Sequence, residues 1–293
     1  MQRFTRVRQA LVSAGVVSVM LASGLTAGAA TTTGVYNAAD AKMVPAALKN
    51  VTWQVATDAT YAPDESMSGT KMIGFDVDLM NAIATTLGVK VVENNVTFDN
   101  IIAGITSGKY QIGNSSFTDN KLREKSVNFV DYFQAGEGVY AKASSMTPFT
   151  SLASLCGLKV AVETGTVEQT DAQTQAKSCG SKKLTVLSFS TQTEANVAVS
   201  SGQADVGFLD SQIAGYVVSQ SKGAFKLLGS AVNVAPYGIA TPKTTQGKAL
   251  AMAIQMALQT LVSNGTYGAI LSHWGVSAGA LTSSKIVLNG ATS

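Results

Sequence analysis

Arg123 ends a stretch of residues that could bind a carboxylate. The segment Gly113–Arg123 reads Gly-Asn-Ser-Ser-Phe-Thr-Asp-Asn-Lys-Leu-Arg, so hydroxyl groups at Ser115, Ser116 and Thr118 precede the guanidinium. A guanidinium can hold a carboxylate through two parallel charge-assisted hydrogen bonds, and neighbouring hydroxyl and backbone N–H groups can assist it. The other three of the four arginines lie within the first eight residues. The alternative interpretation is an ordinary surface arginine in the first turn of a helix.

Acidic side chains follow predicted strands in the second half of the chain. Asp210 comes directly after the apolar run Val206–Leu209, and Glu163 ends the predicted strand Leu158–Glu163. Because ligands bind beyond the carboxyl ends of strands in open α/β sheets, we expect these side chains to line a site. A zwitterion could then place its carboxylate on Arg123 and its ammonium on Asp210. The alternative for Asp210 is an N-cap of the following helix.

Further candidates come from the loops that follow the other predicted strands. Tyr61 and Phe98 could pack against the rest of a ligand, and Asp58 also follows a predicted strand. The alternatives are a turn residue for Asp58, a core residue for Phe98, and a plain helix start for Gly165-Thr166. The predicted ligand-binding residues are Asp58, Tyr61, Phe98, Ser116, Thr118, Arg123, Glu163, Gly165, Thr166, Val167 and Asp210. Four positions are not expected to bind: we predict that Asp76 and Asp78 form a solvated helix start and that His273 and Trp274 pack the last helix.

Strands alternate with amphipathic helices along the chain, which predicts an α/β fold with a mostly parallel sheet covered on both faces. The pattern runs from Val51 to about residue 130, restarts at Leu158, and is linked by extended segments near 134–142 and 230–236. We therefore predict two lobes joined by a two-strand hinge, with a ligand cleft between them. The predicted boundaries are a lead-in segment at 30–50, a discontinuous first lobe at 51–135 and 236–281, a second lobe at 136–235, and a tail at 282–293.

The N-terminus predicts export. Three arginines precede the apolar or small run Ala10–Leu25, and Ala27-Gly28-Ala29 offers a small-residue cleavage site, so residues 1–29 are interpreted as a signal peptide. Gly28 stands where a lipoprotein signal would need cysteine, which excludes lipid attachment there. We therefore expect a soluble periplasmic or extracellular protein. Removing the signal leaves eighteen basic and eighteen acidic residues, a balance that gives no footprint for nucleic acid.

The numbers of cysteine and histidine residues limit the disulfides, metal sites and catalytic sites that the chain could form. Cys156 and Cys179 flank one predicted strand–helix unit, and an oxidising compartment favours a disulfide between them over two buried thiols. With these two cysteines and a single histidine, His273, a structural zinc site is not expected. No metal and no cofactor is predicted. No Ser-His-Asp or Cys-His set is apparent either.

Several segments, in this order and spacing, resemble the extracellular solute-binding proteins that deliver polar amino acids to ABC transporters. The resemblance spans about Val51 to Leu281. The segments that carry it are Thr57-Asp58-Ala59-Thr60-Tyr61-Ala62-Pro63, Gly74-Phe75-Asp76-Val77-Asp78-Leu79, Ser116-Phe117-Thr118 with Arg123, Val160-Ala161-Val162 with Gly165-Thr166, Gly202-Gln203-Ala204-Asp205 with Asp210, Tyr237-Gly238-Ile239-Ala240, and Gly265-Thr266-Tyr267 with Trp274-Gly275-Val276.

This resemblance implies a two-lobed type II periplasmic-binding-protein-like fold, a role in binding rather than catalysis, and roles for the candidate residues. Arg123, aided by Ser116 and Thr118, would hold the α-carboxylate of an amino acid. Asp210 would hold the α-ammonium, Gly165–Val167 would bind at the far side, and Tyr61 and Phe98 would sandwich the side chain. The expected partners are a small amino acid and the membrane permease of an ABC importer, and the expected state is a monomer. Two positions depart from the family: Asn120 stands where many members have threonine, and Asp64 where many have an aromatic residue.

The ligand side chain is less constrained than its α-groups. Asp58, Asp64, Glu65 and Glu163 make the predicted side-chain end acidic, which favours arginine, lysine or ornithine. The alternative is that Asp58 alone faces the ligand, in which case glutamine, glutamate or another polar side chain would bind. A lyase resembling periplasmic cyclohexadienyl dehydratases is the enzyme alternative, because some relatives of this fold have that activity.

Overall fold

The computed structural model describes residues 32–292. The predicted signal peptide, residues 1–29, lies outside the described residues. The strands are β1 (Thr52–Thr57), β2 (Thr60–Tyr61), β3 (Glu65–Ser68), β4 (Lys71–Ile73), β5 (Lys90–Asn95), β6 (Ile112–Gly113), β7 (Val127–Lys142), β8 (Lys159–Glu163), β9 (Thr185–Phe189), β10 (Val206–Asp210) and β11 (Phe225–Pro242). The helices are α1 (Ala38–Met43), α2 (Phe75–Leu87), α3 (Phe98–Thr106), α4 (Val167–Ser178), α5 (Gln192–Ser201), α6 (Ser211–Gln220), α7 (Thr245–Ser263) and α8 (Thr266–Trp274).

Eight strands form one mixed sheet in the order β5–β1–β6–β11–β7–β10–β8–β9. Its two ends are parallel, as predicted: β1 pairs in parallel with β5 and β6, and β8 pairs in parallel with β9 and β10. Its centre is antiparallel, because β7 and β11 run in opposite directions along each other. The α/β class is therefore confirmed, with an antiparallel pair joining two parallel halves.

For each of the two central strands the sequence pattern predicts two shorter extended segments, Ser126–Val130 and Gly136–Lys142 for β7 and Phe225–Leu228 and Asn233–Thr241 for β11. β7 is buried on both faces over almost its whole length, so it lacks the alternation of apolar and polar residues that marks a half-exposed strand. In β11 the pairing register shifts three times between Leu228 and Gly238, which interrupts the sequence pattern without ending the strand. The lobe boundaries predicted at 135/136 and 235/236 fall inside these strands, near those shifts.

A small antiparallel sheet of β2, β3 and β4 was not predicted. Its residues were interpreted as one loop, Asp58–Gly69, because Pro63, Asp64 and Gly69 are turn residues. Each strand in it has only two to four residues, which is too short to show a period in sequence. This sheet positions Tyr61 and Asp64 beside the first lobe.

The helices follow local signals closely. α5 begins after Thr191, whose hydroxyl accepts a hydrogen bond from the Glu194 backbone N–H, and ends at Gly202 in the left-handed conformation. α4 begins in the same way after Thr166, which accepts from the Gln169 N–H. α2 ends at the left-handed Gly88. None of the helices in residues 32–292 has the length and apolar character that a membrane span would need.

Two separate sets of buried side chains give the chain two lobes. We call the half built around β1, β5 and β6 lobe 1, and the half built around β8, β9 and β10 lobe 2. The main core of lobe 1 includes Trp53, Phe75 and Leu79 and also Leu258 and Tyr267 from α7 and α8, so the chain packs back on lobe 1 after β11. The lobe 2 core includes Val160, Val162, Ala172, Phe208 and Leu228.

Two links hold peripheral segments against the lobes: a disulfide in lobe 2 and the pairing of the C-terminal tail with β7 in lobe 1. Cys156 and Cys179 form the predicted disulfide, which ties the turn before β8 to the end of α4. Near the C-terminus, Leu288 forms a β-bridge to Val130 of β7, and the Asn289 side chain accepts a hydrogen bond of 2.7 Å from the Phe129 N–H. The tail is thus an added strand-like segment on lobe 1.

Candidate functional site

Ten of the eleven predicted residues line one cavity between the lobes. Most of them stand after the carboxyl ends of β1, β6, β8 and β10 or at the start of α4, as the strand-end rule predicts, while Phe98 begins α3 after β5 and Tyr61 ends β2. The eleventh, Gly165, lies just outside and touches the site through its carbonyl oxygen. The residues that line the cavity are Asp58, Tyr61, Phe98, Ser115, Ser116, Thr118, Arg123, Glu163, Thr166, Val167, Glu168 and Asp210.

Arg123 reaches from lobe 1 to lobe 2. Its Nη1 donates to the Thr118 carbonyl at 2.8 Å, and its Nη2 donates to the Gly165 carbonyl of lobe 2 at 3.0 Å. The guanidinium carbon lies 5.4 Å from the ring centroids of both Phe98 and Phe117, so the group is held against two aromatic faces. These two bonds use two of its five N–H groups, which leaves donors for a carboxylate.

The approach of the lobes at this point depends on a glycine. Gly165 has a φ of 87°, and a Cβ at this position would lie 3.0 Å from the Asp99 Cα of lobe 1. A larger residue would therefore be strained and would also push the lobes apart. Gly165 thus permits the contact between the lobes, and Thr166 next to it provides the N-cap of α4.

Asp210 stands at the N-cap position of α6, yet its side chain makes no capping bond. Its Oδ2 instead accepts a hydrogen bond of 2.7 Å from the Tyr61 hydroxyl of lobe 1. Burial raises the pKa of Asp210 to about 6, while the Tyr61 and Tyr237 hydroxyls and Arg123 favour the charged form. The carboxylate therefore faces the cavity rather than serving the helix.

Asp58 and Glu163 bring two carboxyl groups together across the cavity. Asp58 comes from lobe 1 and Glu163 from lobe 2, both are 2% exposed, and both line the cavity. Burial raises the pKa of Glu163 to about 9, and the Asp58 charge adds to the shift. Burial also raises the pKa of Asp58, although its oxygens accept bonds from Thr60 and from the Phe98 N–H.

Neither of these two acids has a basic partner among the residues that the structure describes. The single ion pair in that part of the chain joins Lys121 to Glu124 on the surface. Glu163 Oε1 is buried and makes no hydrogen bond of standard geometry. Since an unpaired buried carboxylate is costly, this end of the cavity is suited to a positive charge that the protein itself does not supply.

Glu168 is a cavity residue that the sequence interpretation missed. It is the second residue of α4, only 1% exposed, and its Oε1 makes no hydrogen bond within residues 32–292. Burial, followed by the charges of Asp210 and Glu137, raises the pKa of Glu168 well above its usual range. Extending the list of residues after β8 by one position, past Val167, would have found it.

Asp64 and Glu65 do not line the cavity, so their predicted place at the acidic side-chain end is wrong. Both are fully buried beneath it in lobe 1. The Ser116 hydroxyl donates to Asp64 Oδ2 at 3.0 Å, and the Ser115 hydroxyl donates to Glu65 Oε1 at 2.9 Å. The turn at Pro63 directs both carboxyl groups into lobe 1 rather than toward the cleft.

Asp76 is also buried, although the helix start was predicted to be solvated. Its Oδ2 accepts hydrogen bonds from the Ser116 N–H at 2.9 Å and the Tyr132 hydroxyl at 2.8 Å. These donors, together with the N-terminus of α2, compensate for the loss of water. Burial raises its pKa to about 6. Asp76 therefore supports the Ser116 backbone from below, and Ser116 adopts the left-handed region with a φ of 48°.

Phe98 and Tyr61 pack against other side chains and also line the cavity. Phe98 stacks on Phe117 with ring centroids 4.5 Å apart, and it also lines the cavity. Tyr61 belongs to lobe 1 in the chain but packs into the core of lobe 2. His273 and Trp274 pack together on α8, with ring centroids 5.4 Å apart, and the Trp274 indole donates to Asp78 Oδ2 at 2.8 Å.

The donor set of the cavity suits binding of a charged organic molecule. Within residues 32–292 no group of three or more histidine, cysteine or acidic side chains could hold a metal ion. The cavity holds one guanidinium, two aromatic rings and four carboxyl groups, at Asp58, Glu163, Glu168 and Asp210. Charges of opposite sign at separate points within one enclosed space are complementary to a zwitterion.

Two α/β lobes that enclose a charged cavity form the architecture of a solute-binding protein. The chain belongs to the bacterial extracellular solute-binding proteins, family 3, which it matches over residues 53–277. Among similar sequences is the arginine-binding protein ArgT of Corynebacterium glutamicum, 31% identical over 220 residues that cover 74% of this chain and 71% of that protein.

Solved structures agree with this assignment. An ancestral arginine-binding protein bound to arginine is 33% identical, with a TM-score of 0.71 over 76% of this chain and 97% of its own. An ancestral amino acid-binding protein described as a precursor of cyclohexadienyl dehydratase is 30% identical, with a TM-score of 0.69 over 76% of this chain and 95% of its own. The predicted two-lobed type II fold is confirmed.

Proposed function

We propose that this protein captures an amino acid with a cationic side chain, arginine, lysine or ornithine, and delivers it to the permease of an ABC importer. The observation that carries the proposal is the Asp58–Glu163 pair. Two buried carboxyl groups from opposite lobes meet without a basic partner in the described part of the chain. A guanidinium or ammonium between them would neutralise both and would supply the hydrogen bonds that Glu163 lacks.

The α-groups of the ligand would bind at the other end of the cavity. The free N–H groups of Arg123 would hold the α-carboxylate, with Phe98 and Phe117 fixing the plane of the guanidinium. The α-ammonium would lie between Asp210 and Glu168, two buried carboxyl groups that share the single charge of Arg123. Ser116 would contribute less to the carboxylate than the family resemblance implies, since its hydroxyl donates to Asp64.

Delivery would depend on opening and closing of the cleft. The structure is closed, because Arg123 bonds to Gly165 and Tyr61 bonds to Asp210 across the lobes. A ligand must enter through an open form, and it shifts the population toward the closed form only by its additional affinity for that form. Residues of both lobes surround the cavity, so a bound amino acid would make its full set of contacts only after closure.

A thermal-shift panel of the twenty amino acids plus ornithine tests this function. A ligand at one hundred times its dissociation constant stabilises the folded state by about 2.7 kcal/mol, so a cognate amino acid should raise the melting temperature by several degrees. We expect large shifts with arginine, lysine or ornithine. Largest shifts with glutamine or glutamate would exclude the cationic assignment while retaining the amino acid-binding class.

An enzyme is the second candidate function, because one similar solved structure is a precursor of cyclohexadienyl dehydratase. The similarity to a precursor of cyclohexadienyl dehydratase means that a related cavity has given rise to a lyase lineage. Carboxyl groups with raised pKa values, such as Glu163, could also serve as proton donors. Incubation with a cyclohexadienyl substrate and chromatography of the products distinguishes the two. Turnover would favour the lyase, and its absence together with stoichiometric amino acid binding would favour the binding protein.

A further inference from the structure

Gln212 crosses the cleft outside the ligand cavity. It is the second residue of α6 in lobe 2, and its Nε2 donates to Asp64 Oδ2 at 2.9 Å and to the Tyr237 hydroxyl at 2.7 Å. Both acceptors belong to lobe 1: Asp64 lies in the turn before β3, and Tyr237 packs in the lobe 1 core. One amide group therefore makes two contacts between the lobes without touching the cavity.

Both partners of Gln212 are fixed in lobe 1. Asp64 is fully buried and also accepts from the Ser116 hydroxyl, and Tyr237 is 1% exposed with its ring tilted against Phe133 at a centroid distance of 5.7 Å. When the lobes separate, Gln212 must leave these acceptors, and Asp64 loses a donor in a buried position. The contact therefore stabilises the closed form over the open form.

Gln212 lies next to the cavity through its chain neighbour Asp210. Asp210 precedes Gln212 by two residues at the N-cap position of α6 and accepts a hydrogen bond of 2.7 Å from the Tyr61 hydroxyl. The Asp210 backbone N–H donates to the same hydroxyl at 3.2 Å. The closure contact and the carboxylate proposed to bind the α-ammonium thus both lie at the start of α6, and both hold lobe 2 against lobe 1.

We propose that Gln212 is a positioning residue that sets ligand affinity by favouring the closed cleft. The inference rests on the proposed function, because it assumes that closure accompanies binding. Gln212 contacts neither the side-chain end of the cavity nor Arg123, so its contribution is the same for every amino acid that the site accepts. The apparent dissociation constant rises by the factor by which the closed form becomes less populated.

Calorimetric titration of Gln212→Ala and Gln212→Glu tests this role. Gln212→Glu has the same shape but no amide donor and faces Asp64, so it separates the lost bond from lost packing. We expect about a tenfold rise in dissociation constant for both variants with every amino acid that binds the wild type, since loss of a buried hydrogen bond that leaves its acceptor unsatisfied has roughly this effect. Asp64→Asn keeps an acceptor oxygen and should remain within about threefold of the wild type.

The matched control is Gln220→Ala on the same helix, because the Gln220 side chain bonds only to the adjacent Ser219. It should bind like the wild type. Unchanged affinity in both Gln212 variants, or a loss confined to one ligand side chain, would overturn the proposal. Normal melting temperatures of the ligand-free variants would exclude misfolding as the cause of a loss.

A measurement without ligand separates this inference from the proposed function. Spin labels at Val92→Cys on β5 and Val197→Cys on α5, both exposed and in different lobes, report the distance between the lobes. With Gln212 intact we expect a larger short-distance population than in Gln212→Ala. Identical distance distributions in the two proteins would contradict the closure role. If no amino acid binds the wild type, the proposed function fails, while this comparison still decides the role of Gln212 in closure.

Discussion

At the scale of single residues, the site depends on buried charged groups in which four carboxyl groups face one guanidinium. Arg123 lies beside Glu168 and Asp210, which favour its charged form while burial lowers its pKa. Asp58 and Glu163 at the other end face each other instead of a cation. Such groups are costly in a closed empty cavity and become favourable when an oppositely charged ligand arrives. The cavity is therefore electrostatically incomplete without its ligand.

Loss of the guanidinium should nearly abolish binding. In Arg123→Ala the ligand carboxylate would be buried without a partner, and two charge-assisted hydrogen bonds of about 1.5–3 kcal/mol each would be lost. We expect the dissociation constant of the cognate amino acid to rise at least about a hundredfold in calorimetric titration. Arg123→Lys should be intermediate, because lysine keeps the charge but not the parallel donors.

Lys121→Ala provides the matched control for that substitution. Lys121 is two residues away, its side chain is 54% exposed, and it bonds only to Glu124. Its loss should leave affinity within about twofold, as expected for a surface ion pair. If Arg123→Ala titrated like this control, the assignment of Arg123 as the carboxylate ligand would be wrong.

Residue types and positions predicted most of the cavity, but not the directions of all side chains. Asp58, Asp210 and Arg123 could be found because strands of a parallel sheet end at one edge. Asp64 and Glu65 were misplaced because the turn at Pro63 decides whether their carboxyl groups face the cleft or lobe 1. Asp76 was misplaced because its donors come from Ser116 and Tyr132, both distant in sequence. Contacts of this kind leave no local pattern.

At the scale of elements, helices were predicted more accurately than the central strands. α5 spans Gln192–Ser201, as the sequence pattern predicts, because the hydroxyl of Thr191 caps its start and the left-handed Gly202 ends it. The strands β7 and β11 were each divided in two, since burial on both faces and register shifts remove the alternation that sequence interpretation uses. These strands are the connection between the lobes, and the same register shifts make them the natural place for a hinge.

The disulfide is the clearest test at this scale. Cys156 and Cys179 are separated by 23 residues and enclose β8 and α4, the elements that carry Glu163 and Glu168. Replacing both cysteines by serine should lower the free energy of unfolding by about 3 kcal/mol, because the unfolded chain gains the freedom of an open loop. Urea denaturation measures this change.

A chemical reductant supplies the control for the disulfide. The wild type should shift toward the double-serine variant when the reductant is present, and the variant should not respond. Binding at temperatures well below unfolding should persist, since neither sulfur lines the cavity. Equal denaturation midpoints for the oxidised wild type and the double-serine variant would show that the bond does not stabilise the fold.

At the scale of the whole molecule, burial raises the pKa of many carboxyl groups at once. The values rise to about 9 for Glu163, about 8 for Asp131 and Glu137, and about 7 for Glu93. Desolvation is the largest cause for each. The folded ligand-free protein therefore retains protons that the unfolded chain, whose acids titrate near pH 4, has already released.

This proton excess predicts that stability decreases as pH rises. Between about pH 5 and pH 9 the folded state binds more protons than the unfolded state, so the free energy of unfolding falls by about 1.4 kcal/mol per pH unit for each excess proton. Urea denaturation at pH 6 and pH 8.5 should give the higher stability at pH 6. A free energy of unfolding that is constant or rises over this range would contradict the burial of these acids.

A saturating cationic ligand should weaken this pH dependence. A guanidinium between Asp58 and Glu163 favours their ionised forms, so the liganded protein would no longer need a proton at that end of the cavity. The remaining dependence would come from acids outside the cavity, such as Asp131 and Glu93. This difference links the stability of the whole molecule to the chemistry of the proposed site.

The most direct test of the central claim compares arginine and glutamine in calorimetric titrations of the wild type and Glu163→Gln. These ligands share their α-groups and differ in side-chain charge. We expect the wild type to bind arginine at least about tenfold more tightly than glutamine, and the substitution to reduce this preference about tenfold. Tighter binding of glutamine by the wild type, or a preference for arginine that survives Glu163→Gln unchanged, would contradict the account.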